Sequence, residues 1–102
     1  MSYVTLDEAK DQVSIPREDD ADDERLQRLI DAAEAWAENF LNAPLGDYEE
    51  SPVESPPALP EDLKSGILLH VEAEFDRDMA NFDTIMKRAH DLLWPYRVQV
   101  GV

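Results

Sequence analysis

Two histidines, one run of carboxylates and the three serines of residues 51–65 are the side chains first weighed for reactive chemistry. His70 sits in the apolar segment "GILLHVEAEF" and His90 in "MKRAHDLLW", twenty positions apart. Neither belongs to an H-E-x-x-H pair, and a zinc site needs more nitrogen or sulfur ligands than this cysteine-free chain supplies. Both read as structural histidines, packed or partly exposed. Six of the seven residues from Glu18 to Glu24 are acidic. A calcium loop of the EF-hand kind wants a glycine at its sixth position and a glutamate at its twelfth, and "DDADDERLQRLI" has neither. What remains is weak surface calcium binding or, more plainly, a solvated start to a helix. Ser51, Ser55 and Ser65 lack a nucleophile elbow and a triad context. Three glycines in the whole chain leave no phosphate-cradling loop. Carboxylates are everywhere, yet no pattern buries one as a general acid would require. The expectation is a protein that is not an enzyme, with no catalytic residue, cofactor or metal.

The remaining chemistry is that of contact. The chain closes with "LLWPYRVQVGV". A helical run stops at Trp94-Pro95, because the residue before a proline avoids the α region. Tyr96 and Arg97 follow, both residue types enriched at interface hot spots. Tyr96 either folds back onto the domain or anchors a neighbour. Val98, Val100 and Val102 then alternate with Arg97, Gln99 and Gly101, giving one apolar edge. A lone strand cannot satisfy its own backbone, so this tail either adds to another chain or frays as termini do. Trp94, Tyr96, Arg97, Val98 and Val100 are the candidate contact residues. Trp36 and Phe40 lie on a helical stripe and read as core.

The composition fits such a contact protein. The chain has 102 residues, 43% of them hydrophobic, and a net charge of −15. That is one folding domain with a modest core. The charge repels nucleic-acid phosphates and anionic membranes and favours basic partners. No basic-then-apolar segment precedes Asp7, so no signal peptide is expected, and the apolar runs are too short to cross a bilayer.

Four helices must position these residues. "TLDEAKDQV" carries Thr5 and, three residues on, Glu8, a capping-box pattern, and predicts a short helix over about 5–13. The acidic run leads into "DERLQRLIDAAEAWAENFLN", where Leu26, Leu29, Ile30, Ala33, Trp36, Ala37 and Phe40 form one apolar stripe; Asp20 or Asp22 is the expected N-cap. Asn42 and Pro44 end it. Residues 43–59 hold four prolines and a glycine and read as an exposed loop with little regular structure. Pro60 restarts a helix along Leu63, Ile67, Val71 and Phe75. Gly66 inside it costs about 1 kcal/mol relative to alanine, which a close helix crossing would explain. Asn81 opens the last helix, with Phe82, Ile85, Met86, Ala89, Leu92 and Leu93 on one face. The expected fold is all-α: a small antiparallel bundle of about four helices in a single domain over residues 1–102, with an exposed proline-rich loop at 43–59 and an extended tail at 95–102.

The order of these elements resembles a known family. "TLDEAK", the acidic turn, "DERLQRLIDAAEAWAENFL", a proline-bearing loop, "LPEDLKSGILLHVEAEFDRD" and the closing "AHDLLWPYRV" look like the head–tail connector (adaptor, or head-completion) proteins of tailed bacteriophages. The likeness covers nearly the whole chain outside the 43–59 loop, and none of its motifs is catalytic. It implies a structural virion protein at the head–tail junction, made in the host cytoplasm. Such a protein forms a ring, usually a dodecamer, that docks beneath the portal and extends the DNA channel. The ring offers a platform for the next stopper or tail-completion protein, and DNA passes without specific binding. No membrane is involved. The loop and C-terminal segment are the natural docking elements. Acids such as Asp19, Asp20, Asp22 and Asp23, if they face the channel, let the duplex slide. The loop departs from the family pattern, being a poor hairpin, and is expected to order on contact with the portal. Two other readings fit parts of the sequence: an acidic DNA mimic that inhibits a DNA-binding enzyme, and a helical adaptor of a cellular complex.

Overall fold

A computed structural model of the chain describes residues 3–50, 58–77 and 80–98. The fold is all-α, with four helices: α1 (Leu6–Gln12), α2 (Asp23–Leu41), α3 (Glu61–Asp76) and α4 (Phe82–Leu93). Two single 3₁₀ turns, Leu45–Tyr48 and Trp94–Tyr96, follow α2 and α4. Among the described residues no strand forms beyond an isolated bridge at Ala58.

Local chemistry sets the helix ends. Thr5 caps α1 through the full capping box: its hydroxyl accepts the Glu8 N–H at 3.1 Å, and the Glu8 carboxylate accepts the Thr5 N–H at 3.0 Å. Asp22 holds the N-cap position of α2, without a side-chain cap bond. Beyond α1, α2 and α3 the backbone turns left-handed at Ser14, Asn42 and Arg77, with φ of 63°, 59° and 45°. None of these is glycine. Asparagine tolerates this conformation, whereas an arginine in it costs about 1–2 kcal/mol.

The core joins all four helices. α2 contributes Leu26, Ile30, Ala33, Ala37 and Leu41; α3 contributes Leu63, Ile67 and Val71; Ala9 and Leu93 close it from α1 and α4. Gly66 lies where α4 packs closely on α3. A Cβ there would collide with Leu93 Cδ1 and lie 3.4 Å from the Ala89 carbonyl and 3.5 Å from Leu92 Cβ. The glycine is the space α4 needs to approach α3, which answers why a poor helix former sits there.

The loop reading needs correction at both ends. Leu45 and Leu59 are buried in the core, and Tyr48 is packed against it. Pro44 enters the 3₁₀ turn, and the Glu50 N–H donates to the Ala58 carbonyl at 2.8 Å, closing the loop at its base. Turn signals predict an exposed loop, but burial of two leucines outweighs them. Residues 51–57 lie outside the described residues. The tail also starts later than expected, because Pro95 and Tyr96 belong to the 3₁₀ turn that extends α4.

Candidate functional site

The site lies where the last turns of α2 and α4 meet. The α2 stripe widens there with Trp36 and Phe40, which are half-buried rather than fully interior. α3 brings His70 against Trp36, with ring centroids 4.6 Å apart. α4 brings His90 against both aromatics, 5.5 Å from Trp36 and 5.0 Å from Phe40, nearly parallel to the latter. The two histidines, twenty positions apart in sequence, thus share one aromatic stack. His70 is buried, and its Nδ1 has no hydrogen-bond partner. Burial lowers its pKa, Glu74 opposes that shift, and the neighbouring His90 adds to it. Among the described residues no group of three or more metal-ligating side chains occurs.

Trp94 caps the stack from outside. Its ring lies 6.4 Å from Phe40, and the Arg97 guanidinium sits 5.5 Å from the Trp94 centroid and 5.6 Å from that of Phe40. Such cation–π contacts fix both partners. Trp94 nevertheless stays 57% exposed and Val98 43%, the two large hydrophobic residues most open to solvent among those described.

The main chain after Trp94 is tied to its own domain. Arg97 Nε donates to the Phe40 carbonyl at 2.9 Å. The Val98 N–H donates to the Leu41 carbonyl at 2.8 Å, and Asn42 Nδ2 donates to the Val98 carbonyl at 3.2 Å. The first two of these bonds satisfy the Phe40 and Leu41 carbonyls, which the C-terminus of α2 leaves without helical partners. Tyr96 folds back as well: its hydroxyl donates to Asp62 at 2.5 Å, and its carbonyl accepts the Tyr48 hydroxyl at 2.5 Å. The hydrogen bond to Asp62 holds the Tyr96 phenol up at about 12. The expectation of an unpaired strand edge is therefore corrected for Arg97 and Val98, whose polar groups are engaged within the chain, while Tyr96 takes the first of its two expected roles and folds back onto the domain. Val100 and Val102 lie outside the described residues.

The four acids do not behave alike. Asp19 and Asp20 are exposed, and Asp19 only closes a local turn by accepting the Ala21 N–H. Asp22 is half-buried at the helix start. Asp23 forms an ion pair with Lys10 at 2.8 Å. Lys10 is only 4% exposed and also donates to the Arg17 carbonyl. Asp23 thus anchors α1 to α2, a role different from that of a free channel carboxylate.

Three contacts had no legible sequence signal. Glu34 accepts the N–H groups of Tyr3 and Val4 at 2.7 and 2.9 Å, clamping the N-terminal segment. Tyr3 donates to Glu49 at 2.6 Å, a bond that lifts its phenol to about 12. Glu38 accepts the Leu45 N–H and fixes the first 3₁₀ turn. Each pairs residues with no shared periodicity.

These features define a small all-helical protein whose distinctive surface is an aromatic and cationic edge suited to protein contact. A family model described as phage gp6-like head-tail connector protein matches residues 3–97, and the chain belongs to that family. The family is structural, a component of the virion. Searches of curated proteins and of solved structures returned no match.

Proposed function

We propose that the protein assembles as a ring, most simply a dodecamer, at the head–tail junction. There it docks beneath the portal protein, extends the DNA channel and presents a platform for the next stopper or tail-completion protein. Family membership across residues 3–97 is the observation that carries this reading. The exposed edge around Trp94 supports it, because a rigidly mounted tryptophan with an adjacent guanidinium is the kind of anchor such assemblies use. Tyr96, Arg97 and Val98 act here as the mount that holds Trp94, and Val100, outside the described residues, is kept as a contact residue on its apolar character alone. Asp19, Asp20 and Asp22 are the acids left to face the channel, where they repel DNA phosphate so that the duplex slides without specific binding.

Removing the gene from the virus that encodes it, and complementing with the wild-type chain, tests the proposal. The expected product without it is DNA-filled heads with no tails attached, restored on complementation. Normal tailed, infectious particles without the protein would sink the reading.

A further inference from the structure

The aromatic stack has a titratable group at its base. His70 is 8% exposed and stacks on Trp36, with ring centroids 4.6 Å apart. The C-terminal edge is mounted on the same layer. His90 stacks on Trp36 and Phe40, Trp94 and Arg97 lean on Phe40, and the Phe40 carbonyl accepts the Arg97 Nε–H. The His70 Nδ1 is buried and has no hydrogen-bond partner among the described residues. A bare lone pair is tolerated there. The N–H of an imidazolium in the same place is a buried charged donor without an acceptor, the costliest kind of unsatisfied group. The Trp36 face attracts a cation, but a stacked ring points its N–H groups in its own plane, away from the indole, so the missing acceptor decides. Few charges act on this imidazole. Its own helix supplies Glu74, which favours the cation and is itself held by Arg77 at 3.0 Å; α4 supplies His90, which opposes it when charged; α2 presents the uncharged Trp36 ring. Arg97 adds a fixed positive charge over Phe40. The balance, led by burial, lowers the His70 pKa.

We infer that His70 is an acid-operated latch on this layer. Neutral, it holds the rings of α2 and α4 in register. Protonated, it leaves its place against Trp36 and opens the stack that mounts the C-terminal edge, while the helices and the core around Leu26, Ile30 and Ile67 stay formed. The device lies in the fold of the single chain and stands independently of the ring reading above.

Acid titration of the full-length chain, from about pH 8 to about pH 3, tests the latch. Trp94→Phe changes only an exposed ring and leaves Trp36 as the sole tryptophan. In that chain Trp36 fluorescence should move to the red in one transition below pH 6.5, before the far-ultraviolet circular dichroism changes. Adding His70→Phe keeps a ring in place and should abolish this early transition. His90→Phe removes a like charge and should move it to higher pH, whereas Glu74→Gln removes the carboxylate that favours the cation and should move it to lower pH. A general acid loosening, driven by protonation of the many carboxylates, gives the same pair of spectra but is indifferent to these three positions, and a transition unmoved by all three variants overturns the latch. Loss of the Trp36 and helix signals together overturns it as well. Should His70→Phe fail to fold, the opposite shifts from His90→Phe and Glu74→Gln decide alone, and their absence sinks the inference.

Discussion

Replacing Gly66 by alanine should destabilise the protein, although alanine is the better helix former. Helix propensity alone favours the substitution by about 1 kcal/mol. The added methyl, however, meets Leu93 Cδ1 within collision distance, and Leu93 is fully buried. The Ala89 carbonyl at 3.4 Å and Leu92 Cβ at 3.5 Å close the other sides. Overpacking of this kind costs about 1–3 kcal/mol, so the expected net loss is about 1 kcal/mol, a fall of roughly 4–8 °C in Tm for a domain of this size. Urea unfolding followed by far-ultraviolet circular dichroism measures it. Truncating the obstructing side chain supplies the control. Leu93→Ala should itself cost about 2–5 kcal/mol, but in that background Gly66→Ala should become stabilising, because only the propensity gain and some cavity filling remain. The coupling between the two sites should be about 2 kcal/mol. Stabilisation of the otherwise wild-type protein by the full propensity increment would refute the close crossing of α3 and α4.

Four further outcomes follow from the same geometry. Tyr3 and Tyr96 hold their phenols up at about 12 through hydrogen bonds to Glu49 and Asp62; the fold favours the protonated phenol, so their contribution is intact below pH 10 and is lost as pH rises from about 10 to 12. An ultraviolet absorbance titration should show all three tyrosines ionising later in the native protein than in urea, Tyr3 and Tyr96 at about 12 and Tyr48 raised by its burial, and Tyr96→Phe should remove one of these late transitions. Burial lowers the pKa of His70 below 6.5, so its contribution is present above that pH and fades as pH falls through the folded-state value; His70→Phe should flatten the acid side of the stability–pH curve. Thr5→Ala removes the capping box of α1 and should cost about 1 kcal/mol in urea unfolding. Neutralising Asp19, Asp20 and Asp22 to asparagine should slow DNA ejection from assembled virions without changing Tm by more than a few degrees, and unaltered ejection kinetics would remove these acids from the channel.

Helices were legible because their causes are local. The Thr5–Glu8 capping box and the stripe from Leu26 to Phe40 each lie within a few turns, and both form as the pattern requires. Gly66 was legible as a question, since a poor helix former in a good helix demands a reason, but the reason sits on another helix. Val98 departs from the strand expectation for the complementary cause. Alternating valines suggest a strand edge, whereas Val98 uses its backbone to cap the carbonyl of Leu41, a group whose need arises only from where α2 stops. The aromatic stack shows the same limit: His90 four residues before Trp94 places both on one face of α4, while His70 joins only through the packing of α3 against Trp36. Buried Lys10 was hidden because its partner Asp23 stood in a run of acids that all read as solvated.

The most direct test of the ring and portal-docking proposal is the mass of the purified protein with purified portal, by light scattering and negative-stain imaging across concentration. A connector should form rings of uniform size, alone at high concentration or seated on the portal at low concentration. A strict monomer that leaves the portal unchanged at every ratio would contradict it.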